Sequence, residues 1–162
     1  MTPRVSVIMP AFNCERYIAQ AMTSVLRQTD PDLELIVVDD GSTDSTLEIA
    51  RALAAEDARV VIVPQRNSGR PAIARNAGLE AARGKHLSFL DADDSWEPER
   101  LELLVGGIEA HPEWVAVFHD MQYVEESGQP MREKYLADSN FPGRAIEFVQ
   151  RVLDLLADAE QV

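Results

Sequence analysis

The chain has one cysteine, Cys14, among its 162 residues, so it has no internal disulfide and a reducing compartment is the expected setting. No apolar run approaches the roughly 18 residues of a membrane span, and the first residues lack a signal-peptide profile. Positive charge is scarce: 15 Lys and Arg stand against 28 Asp and Glu, a formal net charge of −13. That balance leaves no broad basic face for nucleic acid. A phosphate ligand would need a local remedy, either a few placed arginines or a metal ion. No G-x-G-x-x-G follows the first apolar run and no G-x-x-x-x-G-K-[ST] occurs. Both the dinucleotide-binding and the P-loop routes to phosphate are therefore removed. His86, His111 and His119 lack metal-ligand spacing such as i, i+4, and no Ser/His/Asp ordering suggests an acyl-transfer nucleophile.

What is present is an alternation of two periods, the mark of an α/β sheet. Residues 4–10 (RVSVIMP), 33–40 (LELIVVDD), 59–64 (RVVIVP) and 85–90 (KHLSFL) read as strands. The second is nearly continuous in apolar residues, as expected for a strand covered on both faces. Helices are expected from Asn13, a suitable N-cap, with Ile18, Met22, Val25 and Leu26 on its stripe. A second carries the capping-box spacing Ser45 to Glu48, and a third, alanine-rich, runs from Pro71 to a stop at Gly84. A fourth begins near Pro98, with Leu101, Leu104, Val105 and Ile108 apolar. A fifth strand is expected over 113–126 and an amphipathic helix through Ile146, Val149, Leu153 and Leu156. Four β–α alternations imply a mainly parallel sheet with helices on both faces.

In open α/β sheets, ligands bind outside the carboxyl ends of the strands. Polar and flexible residues gather after every expected strand: Pro10, Ala11, Phe12 and Asn13; Asp39, Asp40, Gly41, Ser42 and Thr43; Asn67, Ser68 and Gly69, leading to Arg75; and Asp91, Asp93 and Asp94. Gly41-Ser42 also suits a plain helix-capping turn, and Asp39 and Asp40 also suit solvated strand ends. Arg75 suits either an aspartate or a diphosphate as partner. Three carboxylates within four residues repel one another, and desolvating them is costly without a cation or donors. They read either as a solvated loop that starts a helix or as a site for Mg²⁺ or Mn²⁺, whose preference is for hard carboxylate oxygens.

In order and spacing, VSVIMPAFNCERYIAQAMTSVLRQT, LELIVVDDGSTDST, NSGRPAIARNAGLEAARGKHLSFLDADD and VAVFHDMQYVEESG resemble the family 2 glycosyltransferases, which have the Rossmann-like GT-A fold. The resemblance runs from about Arg4 to Gly128 and implies a division at 1–128, a nucleotide-sugar-binding core, and 129–162, the start of an acceptor-side region. It implies that Pro10, Ala11 and Asn13 line a nucleoside pocket with Glu15 close by, and that Asp39 or Asp40 contacts the base or ribose. Asn67, Gly69 and Arg75 would border the base and phosphates. Asp91-Ala92-Asp93 is similar to the family's D-x-D, with Asp91 near the ribose and Asp93 the metal ligand, so that a metal–diphosphate fills the space between the acids.

The implied reaction is metal-dependent transfer of a sugar, with inversion, from a nucleotide diphosphate (UDP by family habit, with GDP and dTDP open) to a sugar, lipid or polysaccharide acceptor. Its carboxylate base normally lies well downstream of D-x-D, and Asp120, Glu125 and Glu126 do not match the family pattern for it. The expected reading is therefore the donor-binding part of a longer enzyme, cytoplasmic or peripheral to the membrane, whose truncated apolar face favours a homodimer. The competing reading is a non-catalytic nucleotide-binding or assembly module. A nucleotidyltransferase would need a glycine-rich basic loop after the first strand, and PAFNCERY is not one.

Overall fold

The computed structural model describes residues 2–117. Residues up to Val105 form one compact unit and those from Gly106 another. In the first unit, β1 (Val5–Ala11), β2 (Leu33–Asp39), β3 (Val60–Pro64) and β4 (His86–Phe89) build an all-parallel sheet in the order β3-β2-β1-β4. They alternate with α1 (Ile18–Leu26), α2 (Thr46–Glu56) and α3 (Pro71–Ala81), and α4 (Arg100–Ala110) follows β4. Residues 111–117 are turn and irregular backbone, with His111 stacked on Trp114 at 4.0 Å between ring centroids. Residues 113–117 of the expected fifth strand are thus not extended into a ladder, and its remainder and the last amphipathic helix lie outside the described residues.

Every residue of β2 is buried, which explains its unbroken apolar run: alternate side chains serve opposite cores. Leu33, Leu35 and Val37 join Val5, Val7 and Met9 of β1 beneath α1, α2 and the start of α4. Ile36 and Val38 face α3 through Ala74. Small residues let α3 lie close: a Cβ on Gly78 would stand 2.4 Å from the Ile8 side chain. Each fully buried Val, Leu, Ile or Met contributes about 1.5–3 kcal/mol by leaving water, so these two layers are the main stabilisation of the unit.

One expected helix start and one expected cap are corrected, while the second helix does follow Ser45 as its N-cap. The first helix begins at Ile18, not Asn13, because Asn13 adopts a left-handed φ of +49° and the chain turns through 15–17 first. The Ser45–Glu48 capping box does not form; instead Asp44 accepts the Thr46 N–H at 3.0 Å. The alanine-rich helix stops at Ala81, three residues before Gly84, because Ala82 is already extended.

The amino-terminal edge of the sheet holds a buried carboxylate. Glu34 accepts from the Ser6 hydroxyl at 2.7 Å and from Arg83 through its backbone N–H (2.8 Å), Nε (3.0 Å) and Nη2 (2.6 Å). Burial pushes its pKa up, but the Ser6 and Arg83 hydrogen bonds and the Arg83 charge outweigh it and hold the group below its ordinary value. A depressed folded pKa gives stability that is present above the unfolded value of 4.5 and is lost as pH falls through the folded one. Glu34→Ala is expected to destabilise by about 1–3 kcal/mol at neutral pH, since it leaves the Ser6 hydroxyl proton without its acceptor and removes the bonds of the Arg83 guanidinium. Urea denaturation should show that difference shrinking as pH drops from about 5 toward 3; a pH-independent difference would refute the assignment.

Candidate functional site

The strand order makes β1 the switch point: β2 and β3 lie to one side of it and β4 to the other. A crevice outside the carboxyl ends of β1 and β4 is the place where such sheets receive ligands. Pro10 and Ala11 end β1 there, half-buried and buried. The loop after β1 is laced to the loop after β2. Asn13 donates its backbone N–H to Ser42 Oγ at 3.1 Å and accepts the Thr43 N–H on its side-chain oxygen at 2.8 Å. Cys14 N–H donates to Thr46 Oγ1 at 2.8 Å, and Glu15 accepts the Ser45 N–H at 2.9 Å. Asn13 and Glu15 are therefore already engaged in holding the loops together. Between them and the strand, Phe12 stands 49% exposed, an aromatic face at the rim that sequence reading named without a role.

Asp39 and Asp40, equivalent in the sequence, separate in the structure. Asp40 is fully tied: Gln65 Nε2 donates to it at 2.6 Å, and the Ser68 N–H and hydroxyl each donate at 2.9 Å. Burial raises its pKa, and these bonds more than reverse the shift. Asp39 is 2% exposed. Its Oδ2 accepts one long bond from the Ser42 N–H at 3.4 Å, and no donor among the described residues reaches its buried Oδ1. A buried acceptor without a donor costs about 1–3 kcal/mol, so Asp39 is the one with unspent hydrogen-bonding capacity.

The segment after β3 is held against this wall. Gly41 sits at φ +72°, and a Cβ there would lie 2.6 Å from the Asn67 backbone nitrogen. Asn67 accepts the Gly69 N–H on its side-chain oxygen at 2.8 Å, a local turn.

The acids after β4 sit on an anchored turn. Leu90, Ala92 and Trp96 are buried in the main core while Asp91, Asp93 and Asp94 are exposed, and the Asp94 N–H donates to the Asp91 carbonyl at 3.0 Å. Arg75 meets Asp91 at 2.5 Å, the aspartate being one of its two expected partners. Asp94 has its pKa raised, first by burial and then by the charges of Asp93 and Asp91. Burial also pushes the Cys14 thiol up; the Thr46 hydrogen bond and then Phe12 offset part of this, and the charges of Asp44 and Asp93 add to it. The loops after β1, β2 and β4 thus converge around Cys14.

Among the described residues no group of three or more His, Cys, Asp or Glu could hold a metal by itself. The donor set still fits Mg²⁺ or Mn²⁺, which are commonly held by one or two carboxylates with phosphate and water completing the shell. Asp93 and Asp94 are the carboxylates left after Arg75 takes Asp91; sequence reading had singled out only Asp93.

A parallel α/β protein with polar loops gathered at the carboxyl edge of its sheet is the class that these features define. The glycosyl transferase family 2 model matches residues 6–154, and the chain belongs to that family. It is 46% identical over 101 residues to a putative teichuronic acid biosynthesis glycosyltransferase, TuaG, of Bacillus subtilis, covering 62% of this chain and 40% of that protein. Among solved structures, Staphylococcus aureus TarS in complex with UDP superposes with a TM-score of 0.64 at 35% identity, over 67% of this chain and 33% of TarS. A mannosyltransferase from Pyrobaculum calidifontis, in complex with GDP-Man and Mn²⁺, gives 0.57 at 33% identity over 64% of this chain and 31% of that one. The chain thus spans about two-fifths of the length of the first of these relatives. Both structural neighbours carry the GT-A fold, which is the fold found here.

Gly41→Ala should therefore destabilise by about 2 kcal/mol or more, combining left-handed strain with a backbone clash. Gly69→Ala, at φ +67° with open space around it, should lose only about 1–2 kcal/mol. Denaturant midpoints of the two variants check the order, and equal losses would count against the Gly41–Asn67 contact.

Proposed function

We propose that this chain is the nucleotide-sugar-binding part of a metal-dependent, inverting glycosyltransferase using a UDP-sugar, with Asp39 taking the base or ribose and Asp93 the metal. The observation that carries the reading is the pairing, at one switch point, of a buried Asp39 oxygen lacking a donor with an exposed three-acid turn. The UDP complex of TarS and the GDP-Man–Mn²⁺ complex of the mannosyltransferase support the ligand class. The acceptor is a sugar, lipid or polysaccharide, and residues 129–162 begin the region that faces it. The compartment is cytoplasmic, at or near the membrane; no helix among the described residues is long and apolar enough to cross one.

In this reading the chain's residues do three things. Asp39 accepts a hydrogen bond from an N–H or hydroxyl of the nucleoside, and the exposed Phe12 ring offers a stacking face. Asn13, Glu15, Gly41 and Asn67 keep the walls of that pocket in register. Arg75 neutralises Asp91, so that Asp93 and Asp94 are the carboxylates available to a cation. A bound divalent ion supplies Lewis-acid stabilisation of the charge that builds on the departing diphosphate.

Mn²⁺ or Mg²⁺ should strengthen UDP binding at least about tenfold, and Asp93→Ala should abolish the gain with the circular dichroism spectrum unchanged. Calorimetry that finds metal-independent binding, or no binding of any nucleoside diphosphate, sinks the reading. The two strand-end aspartates give a separate check. Asp39→Asn should weaken UDP about tenfold or more, with or without metal, through loss of a charge-assisted bond. Asp40→Asn should instead lower stability and leave UDP affinity within about threefold, its partners being internal. The reverse pattern would exchange their roles.

A further inference from the structure

The acid turn is held in place from behind by the end of α1. Gln28 is only 5% exposed, and each polar atom of its amide has a backbone partner. Its Nε2 donates to the Glu97 carbonyl at 2.7 Å and to the Ser24 carbonyl at 3.1 Å. Its Oε1 accepts the Leu101 N–H at 2.8 Å. Leu101 lies in the first turn of α4, where N–H groups have no partner within the helix. Gln28 is therefore an N-terminal cap supplied from the segment just after α1, and at the same time a clamp on the segment joining the acids to α4. Two neighbours reinforce it: Ser24 Oγ accepts the Trp96 N–H at 3.1 Å, and the Thr29 N–H donates to the Pro98 carbonyl at 2.9 Å.

These contacts fix residues 96–101 by their backbone, while Leu90 and Ala92 fix the other side of the turn in the core. The acids between are exposed and, Asp91 apart, form no ion pair among the described residues. Their mutual repulsion favours splaying the turn, and the two anchored ends oppose it. An amide suits the role because it presents donors and an acceptor at once; a carboxylate would set two carbonyl oxygens against an anion, and an aliphatic side chain would supply neither bond.

We infer that Gln28 is a positioning residue for cation binding: its bonds to Glu97 and Leu101 hold Asp93 and Asp94 at the spacing the ion requires, while the nucleoside pocket does not depend on it. This rests on the reading proposed above. The separation is physical: the pocket walls around Asn13 and Asp39 are tied to one another and to 65–69 by bonds that do not involve Gln28.

Gln28→Met keeps the length and burial of the side chain and removes its three hydrogen bonds. The test compares the 162-residue chain and this variant by calorimetry with UDP alone, with Mn²⁺ alone, and with both. Hydrogen exchange of residues 91–101 is followed in the absence of ligand. The expected result is a loss of about tenfold or more in the Mn²⁺-dependent part of UDP affinity, with metal-free UDP affinity within about twofold. Faster exchange should be confined to that segment. An undiminished Mn²⁺ gain in the variant overturns the inference, as does a parallel fall in metal-free affinity, which would mark Gln28 as generally structural. Absence of any Mn²⁺ gain in the unsubstituted chain overturns the parent reading instead, and this inference with it. Should Gln28→Met fail to fold, Ser24→Ala removes the Trp96 bond, together with a local bond to the Ala21 carbonyl of its own helix, and should give the same split at a few-fold size; no split there also overturns the inference.

Discussion

Like-charge repulsion is the constraint around which this edge of the molecule is organised. Three carboxylates on one turn gain nothing from one another, and the pKa of Asp94 is raised first by its partial burial and then by the charges of Asp93 and Asp91. The fold tolerates them because the residues between and around them are apolar and buried: Leu90, Ala92 and Trp96 commit the backbone to the core while the acids stay in water. The stabilising burial and the destabilising charge belong to neighbouring residues of one segment. Neither can be shifted along the chain without moving the other.

The two edges of the sheet handle carboxylates in opposite ways. At the amino edge Glu34 is buried, and Ser6 and Arg83 fill its hydrogen-bonding capacity with four bonds. At the carboxyl edge Asp40 is satisfied in the same manner, yet adjacent Asp39 keeps an oxygen without a donor. Glu34 and Asp40 spend their oxygens on holding neighbouring segments, and Asp39 is the carboxylate that the proposed reading assigns to a ligand. The left-handed backbone at Asn13, Gly41 and Gly69 falls at the same edge, where strained or special conformations gather in binding sites.

Much of the fold was legible in periodicity. The all-apolar β2 run, the strand ends and the helical stripes carry their burial in the order of residues, and a parallel sheet follows from their alternation. Helix starts were less legible, because Asn13 and Ser45 have the right chemistry for caps while tertiary bonds engage them otherwise: Asn13 is held to the β2 loop, and Asp44 does the capping at Thr46. The gathering of polar residues at the carboxyl edge could be read from the chain. The difference between Asp39 and Asp40 could not, because it depends on Gln65 and Ser68 arriving from the next loop. Gln28 carried no signal at all; a glutamine near a helix end looks like surface until the partner segment, about 70 residues later, is placed against it.

An acidic chain receiving a diphosphate must overcome its own field. The net charge of −13 acts mostly at distances where salt screens it, since the Debye length is about 8 Å at physiological ionic strength. What decides binding is the charge within that radius. Arg75 pairs with Asp91, leaving two carboxylates at the turn, Asp93 and Asp94; in the proposed reading these would hold a divalent cation, and the charges of Arg75, the three acids and the ion would then sum to zero. A diphosphate would meet a less anionic turn, and the cation would supply attraction for its oxygens. In the reading proposed above, the same loop without the ion would repel the ligand's phosphates, while Asp39 would still accept from its nucleoside. The nucleoside and diphosphate ends of a ligand therefore answer to different parts of the edge, one built from hydrogen bonds inside the β1–β2 wall and one from charge on the β4 turn.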